Sequence, residues 1–351
     1  MRFDLTDEQR AIKDAVHELC AARYDPAAYT GEQRANDTYW PELTKSGWTQ
    51  LAVPHNLGGP GAGVLELALV IEELGYALAP ATFLGNAIAG LLIASAQHEE
   101  QRRRWLHGIA SGKARAAFGM LRREGDATII DSSGAALLVL AGPQHVVVVD
   151  DIPTHLEPLD SLDVTRELHR LPRVSAEPLG GDLAWARDAA EVLLAAELTG
   201  VAQHALEMAV AHAKERQQFG RPIGAYQAVS HRCADMLVLT ESARSAMLSA
   251  AWTADQDPAA LPFAASVAKV TAAEAAWRVT TSALQVHGGV GFTWEHPMHL
   301  FMRRAAATSR VLGSIGAHLE RIAELNGLGS REQAHDRELT GAGALAASAA
   351  R

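Results

Sequence analysis

Three stretches of the chain combine residue types that could do chemistry. The first is Arg216-Gln217-Gln218-Phe219-Gly220-Arg221-Pro222-Ile223, followed by Tyr226-Gln227. Arg216 can hold a pyrophosphate through a two-pronged, charge-assisted contact. Phe219 can pack on a flat ring, and Gln227 can donate or accept at a heterocycle edge. The same residues also read as a helix C-terminus, with an arginine complementing the dipole and a glycine stopping the helix. The second stretch is Gln285-Val286-His287-Gly288-Gly289-Val290-Gly291-Phe292. Its glycines permit close backbone approach, and free N–H groups there suit an anion or a ring edge. It reads equally as a turn between helices, and no Lys-Ser/Thr follows to make a phosphate loop of the Walker type. The third is Thr293-Trp294-Glu295-His296-Pro297-Met298-His299, leading to Arg303-Arg304. His296 and His299 are three apart with a proline between them, whereas a zincin pair is four apart on an unbroken helix. No metal site is expected, and Glu295-His296-Pro297 is read as a helix start. No Gly-x-Ser-x-Gly elbow is present, and Cys233 falls on a core-like helical stretch, which suits packing better than reactivity.

These stretches need elements to position them. Residues 1–112 are predicted to be helical, with Thr6 capping the first helix and Leu65 to Leu74 forming a buried one. Val53 to Gly61 is a loop by its glycines and prolines. Residues 113–182 change to short valine-rich runs broken by Ser132-Ser133-Gly134, Gly142-Pro143 and Asp150-Asp151-Ile152-Pro153, enough for five or six brief strands. Residues 183–327 return to long helices: Leu194, Leu198, Val201, Ala205 and Met208 keep helical spacing, as do Val229, Met236, Leu239, Ala243, Ala246 and Ala250. Pro222, Pro258 and Gly288-Gly289 separate these into an antiparallel four-helix bundle. Residues 328–351 are predicted to be a disordered tail. The fold class is therefore mainly α with a small central β domain.

Composition narrows the function. The formal net charge is −10, with no basic cluster, which argues against nucleic acid as a partner. No apolar run approaches the ~18 residues of a membrane span. The first eight residues carry no apolar h-region, so a secretory signal is not expected, and two cysteines cannot build a disulfide framework. A cytoplasmic setting is expected.

The blocks, in this order after a helical region and a small β region, resemble the acyl-CoA dehydrogenase family. Arg216 to Ile223 is similar to its Arg-x-x-Phe-Gly-x-Pro-Ile block, and Gln285 to Gly289 to its Gln-x-x-Gly-Gly block. Trp48-Thr49-Gln50-Leu51-Ala52-Val53-Pro54, Gly58-Gly59 and Glu72-Glu73-Leu74-Gly75 match as well. The resemblance implies a helical N-terminal domain, a reduced β-barrel, a C-terminal four-helix bundle, and FAD belonging mainly to a neighbouring subunit. It implies that Arg216 meets the pyrophosphate, that Phe219 packs on the cofactor beside Gln218, and that Gln227 with Gln285, Val286, His287, Gly288 and Gly289 holds the adenosine half. The implied reaction removes an α proton and a β hydride from an acyl-CoA, giving a trans-2-enoyl-CoA, with a carboxylate as base.

The sequence departs from that pattern in two places. The family's usual base position, 27 residues after Gln285, holds Leu312. Its alternative position, 26 residues before Arg216, holds Ala190, with Glu191 about 100° further round the helix. The flavin-contacting Thr-Glu-Pro segment is replaced by Ala117-Phe118-Gly119-Met120-Leu121-Arg122-Arg123-Glu124-Gly125-Asp126. Together these imply a non-catalytic subunit of an α2β2 dehydrogenase, as in the actinobacterial steroid-type enzymes. Such a subunit lends an FAD-binding wall to a partner that acts on a bulky acyl-CoA and passes electrons to an electron-transfer flavoprotein or similar acceptor. The alternatives are a self-sufficient homo-oligomer using Glu191 or Glu241, and a non-enzymatic scaffold.

Overall fold

The computed structural model describes residues 4–23, 26, 40–122, 125–142, 145–172 and 176–328. The expected tail, from residue 329 onward, lies outside the described residues, as do Arg123, Glu124 and Pro143.

Helix α1 (Asp7–Arg23) opens on a reciprocal cap. The Gln9 amide donates to Thr6 Oγ1 at 3.2 Å, and the Thr6 amide donates to Gln9 Oε1 at 3.0 Å. After the short α2 (Trp40–Lys45), helices α3 (Val64–Tyr76) and α4 (Thr82–Ala94) are apolar on nearly every face and buried, and the amphipathic α5 (Glu99–Ala110) closes this region. Two acidic residues are buried in α3 with partners: Glu72 lies 3.0 Å from Lys13 and 3.2 Å from Arg244, and Glu73 lies 2.8 Å from His17 Nδ1.

A seven-stranded sheet follows: β1 (Ala116–Leu121), β2 (Ala127–Ile130), β3 (Leu137–Ala141), β4 (Val146–Val149), β5 (Glu157–Leu159), β6 (Leu168–Leu171) and β7 (Glu177–Pro178), in the order β5-β6-β2-β1-β3-β4-β7. This is more strands than expected because β5 and β7 are only three and two residues long. Alternation sorts the side chains. Ala116, Phe118, Val139 and Ala141 join the main core, while Ala117, Ile129, Leu138 and Leu140 form a second cluster on the opposite face. Next to the paired residues of β1 and β2, the Arg122 amide donates to the Asp126 carbonyl at 2.8 Å.

Helices α6 (Ala184–Glu215), α7 (Gln227–Gln256) and α8 (Leu261–His287) then run long, followed by α9 (Met298–Thr308) and α10 (Ile315–Leu325). Between α6 and α7 lie β8 (Gln217–Gln218) and β9 (Arg221–Pro222). Alanines along α6 and α8 are buried at or near zero exposure and let the helices approach closely. Threonines inside the bundle return their hydroxyls to the preceding turn, as Thr199 does to the Ala195 carbonyl at 2.8 Å and Thr280 to the Ala276 carbonyl at 2.7 Å. Helices α3 and α6 meet through glycines: a Cβ at Gly200 would stand 1.9 Å from the Glu72 carbonyl oxygen, and one at Gly75 would stand 2.4 Å from that of Glu197. Among the described residues no helix is long and apolar enough to cross a membrane.

Two local expectations are corrected. Gly220 does not stop α6, which ends at Glu215; it sits in the turn between β8 and β9. Helix α9 begins at Met298 after Pro297, so Glu295 and His296 precede it.

Candidate functional site

The Arg216 block is a hairpin standing on the end of α6. Gln217 pairs with Pro222 and Gln218 with Arg221, so Phe219 and Gly220 alone form the turn. Their φ values are +51° and +80°. Two successive left-handed residues make a turn of the I′ kind, whose twist matches the strands it joins. Glycine accepts that conformation freely, whereas phenylalanine pays about 1 kcal/mol. Tyr226 braces the hairpin: its hydroxyl donates to the Gln218 carbonyl at 3.1 Å, and the Arg221 guanidinium lies 4.1 Å from its ring centroid. Phe219 is nevertheless 93% exposed, with an edge-on approach to the Tyr226 ring at 6.4 Å between centroids.

The Gln285 block lies beside it. The His287 imidazole stacks on His212 of α6 with 4.6 Å between centroids, and His296 follows at 4.5 Å from His287. Burial pushes all three below the usual histidine range, His296 to about 4, with neighbouring imidazoles adding to the effect at His212 and His296 and the Ala283 carbonyl opposing it at His287. The stack is therefore neutral at pH 7 and free of internal repulsion. His287 Nδ1 lies 2.8 Å from the Ala283 carbonyl, and Val286 is buried, so both serve the turn rather than its surface. Gln285, Gly289, Val290 and Phe292 face outward, and Gly288 is half-buried. Of the third block, His299 meets Trp294 edge-on at 4.7 Å, and the Arg303 guanidinium lies 5.3 Å from the Trp294 ring centroid.

This surface fits a flat anionic cofactor. Arg216 is exposed and holds no ion pair or side-chain hydrogen bond among the described residues. A Cβ added at Gly289 would meet nothing within 4 Å, and Gly289 does not have a positive φ. Nothing inside the chain requires glycine there, whereas a ligand approaching the backbone would. Gln218, Gln227 and Gln285 are exposed as well.

The predicted base position lies elsewhere. Leu312 sits after α9 at φ +59°, half-buried against the main core. Lys269, 1% exposed, donates to the carbonyls of Ser309 at 3.1 Å and Val311 at 2.9 Å, fixing the loop. Beside this loop a cavity of about 620 Å³ opens between the sheet and the bundle, lined by Met120, Ile130 and Leu168 on one side and Trp277, Val311 and Ile315 on the other. Among the described residues its charged lining consists of Arg166 and Arg310, with no carboxylate or histidine.

Beneath the cavity is a buried charge network that sequence reasoning missed. Arg304, 0% exposed, donates to Asp163 Oδ2 at 2.6 Å and to Glu197 Oε1 at 3.2 Å. Arg166 pairs with the same Glu197 and donates to Thr308 Oγ1 at 3.0 Å, and the Thr308 hydroxyl donates to Glu197 Oε2 at 2.7 Å. Burial pushes the Glu197 carboxyl up, but Arg166 and Arg304 outweigh it and hold it below the usual range. The signal was present in the sequence, as a lone glutamate inside Val192-Leu193-Leu194-Ala195-Ala196-Glu197-Leu198.

The fallback carboxylates are not in the cavity. Glu191 is buried and lines a separate polar cavity of about 480 Å³ with Asp188, His145 and Arg321. It lies 3.3 Å from Arg321, yet burial pushes its carboxyl up to about 7. Glu241 is exposed on α7, 3.6 Å from Arg244. Ala190 is fully buried.

Comparison with known proteins agrees with this arrangement. A family model described as "Acyl-CoA dehydrogenase, N-terminal domain" matches residues 6–113, and one described as "Acyl-CoA dehydrogenase, C-terminal domain" matches residues 186–325. The acyl-CoA dehydrogenase IpdE2 of Mycobacterium tuberculosis is 34% identical over 322 residues, covering 90% of this chain and 96% of that protein. FadE34 of the same organism is 33% identical over 361 residues, covering 94% of this chain but 49% of FadE34. Among solved structures, the ChsE4-ChsE5 complex from Mycobacterium tuberculosis superposes with a TM-score of 0.81 at 25% identity, covering 94% of this chain and all (100%) of that one. A variant of the Tcur3481-Tcur3483 steroid ACAD gives 0.79 at 28% identity, covering 92% and 98%. With its sequence matched at both ends and its fold matched along nearly its whole length, the chain belongs to the acyl-CoA dehydrogenase family, whose cofactor is FAD.

Proposed function

We propose that this chain is the non-catalytic subunit of a heteromeric, FAD-dependent acyl-CoA dehydrogenase that converts an acyl-CoA to a trans-2-enoyl-CoA. One contrast carries the reading. The chain builds an outward-facing wall suited to a cofactor, yet among the described residues its own cleft is lined by no carboxylate or imidazole and its base position is Leu312. In this reading Arg216 takes the pyrophosphate, Phe219 packs on a ring of the cofactor, and Gln218, Gln227, Gln285 and the Val286–Gly289 turn hold the adenosine half. When bound, FAD accepts the β hydride; a carboxylate of the partner subunit removes the α proton. Only five residues, 122–126, link β1 to β2, a short segment for covering a flavin ring, which supports placing that ring in the partner.

Two relatives favour a pair of unlike chains. The ChsE4-ChsE5 and Tcur3481-Tcur3483 structures carry two names each. FadE34 is about twice the length that this chain matches. The Tcur3481-Tcur3483 enzyme is described as a steroid ACAD, and a bulky or steroid side-chain acyl-CoA is the corresponding substrate here. An α2β2 assembly, a cytoplasmic setting and an electron-transfer flavoprotein as acceptor complete the proposal. The reading is tested by co-expressing the chain with a dehydrogenase-like partner and measuring flavin per tetramer and turnover on short, long and steroid acyl-CoAs. Two flavins per tetramer, with activity absent from the chain alone, is the expected result. A yellow, active homo-oligomer would refute it.

A further inference from the structure

The cavity between sheet and bundle is the cleft whose lining carries the reading above, and on that reading it performs no chemistry in this chain. Its volume of about 620 Å³ falls within the ~300–1,000 Å³ typical of small-molecule pockets. Met120, Leu162, Ile315 and Trp277 give it an apolar wall. The two cations differ sharply. Arg166 is buried and committed to Glu197 and Thr308, although its Nε–H finds no hydrogen-bond acceptor. Arg310 is exposed, lines the cavity, and makes no ion pair or side-chain hydrogen bond among the described residues.

A single uncommitted guanidinium beside an apolar chamber selects for an amphipathic monoanion. Its planar fork matches a carboxylate with two parallel hydrogen bonds. A phosphate dianion would call for a second free cation, which the described lining residues do not supply. We propose that this cavity is a second, non-catalytic ligand site, taking an apolar molecule that carries one carboxylate. The carboxylate sits on Arg310 and the apolar body lies against Trp277, Met120, Leu162 and Ile315. Among the described residues the lining offers such a molecule apolar contacts and a cation, with no carboxylate or imidazole. This inference rests on the cavity alone and is independent of the cofactor wall.

Trp277 is a built-in reporter, being 47% exposed and part of the lining. The full chain, alone and with its partner, is titrated with decanoate and with cholate below their micelle concentrations while indole fluorescence is followed. A saturable change with at least one acid is expected, absent in Trp277→Phe. Arg310→Glu should weaken binding about tenfold or more, and the methyl ester should bind as weakly. Flavin content of the complex should be unchanged in Arg310→Glu, which separates this site from the wall. Ala307→Phe, which fills the chamber, should abolish binding at an unchanged melting temperature. No saturable signal with either acid, or equal affinity for acid and ester, would overturn the proposal, as would an Arg310→Glu variant that binds like the parent.

Discussion

His212 and His287 stack with 4.6 Å between their ring centroids, and that contact ties the two exposed blocks into one surface. One imidazole ends the helix that carries Arg216; the other precedes the glycine turn. Neither ring is itself presented to a ligand. Their effect is to fix the spacing between a hairpin and a turn that are about 70 residues apart in the chain.

The wall predicts two distinct outcomes from two substitutions. Arg216→Ala removes a charge-assisted contact of ~1.5–3 kcal/mol, so flavin retained by the purified complex should fall about tenfold or more. Phe219→Gly removes the ring and relieves the turn. The isolated chain should then be more stable by up to about 1 kcal/mol in denaturant titrations, while the complex loses flavin. Unchanged flavin-to-protein ratios in both variants would remove the wall from the cofactor site.

Leu312→Glu should not create turnover. The position has a strained left-handed backbone and packs against the core, and the surrounding lining holds no flavin-facing segment. Steady-state assay of the chain alone with several acyl-CoAs checks this. Measurable dehydrogenation would show that only the base was missing.

Arg304→Met should be severely destabilising. It leaves Asp163 and Glu197 buried with one guanidinium instead of two, and breaking a buried pair on one side costs about 3–5 kcal/mol. A shift in the urea midpoint measures it. Loss below 1 kcal/mol would mean that Arg166 alone neutralises the network.

Glu191 sets a pH dependence. Its folded carboxyl titrates at about 7, above the ordinary value of 4.5, so the folded state binds more protons than the unfolded state between those limits. That contribution to stability is fully present below pH 4.5 and is lost as pH rises through 7. Glu191→Gln removes the titration, so stability of the variant relative to the parent should rise by ~2–3 kcal/mol from pH 4.5 to pH 8. A pH-independent difference would show that Arg321 holds the carboxylate ionised throughout.

Much of the architecture was legible because helical periodicity and short valine runs are local signals. Thr6, the Leu65–Leu74 segment and the long bundle helices are decided by neighbours three or four residues away. The hairpin was not legible, since Phe219 occupies a conformation its side chain disfavours and the Gly220 after it imitates a helix stop. The Asp163, Arg166, Glu197 and Arg304 network was equally hidden: its members come from a loop and two helices, and only packing brings them together. Glu191 is a candidate base by position; its burial beside Arg321 in a separate polar cavity is a product of packing that position does not reveal.

Helix α6 carries Glu197 near its middle and ends beside Arg216. Nineteen residues separate the two, about 28 Å of continuous helix at 1.5 Å per residue. A strut of that kind works as a gauge. It sets how far the buried Glu197 network stands from the exposed Arg216 hairpin, so a shortened or kinked α6 would misplace one whenever the other was seated.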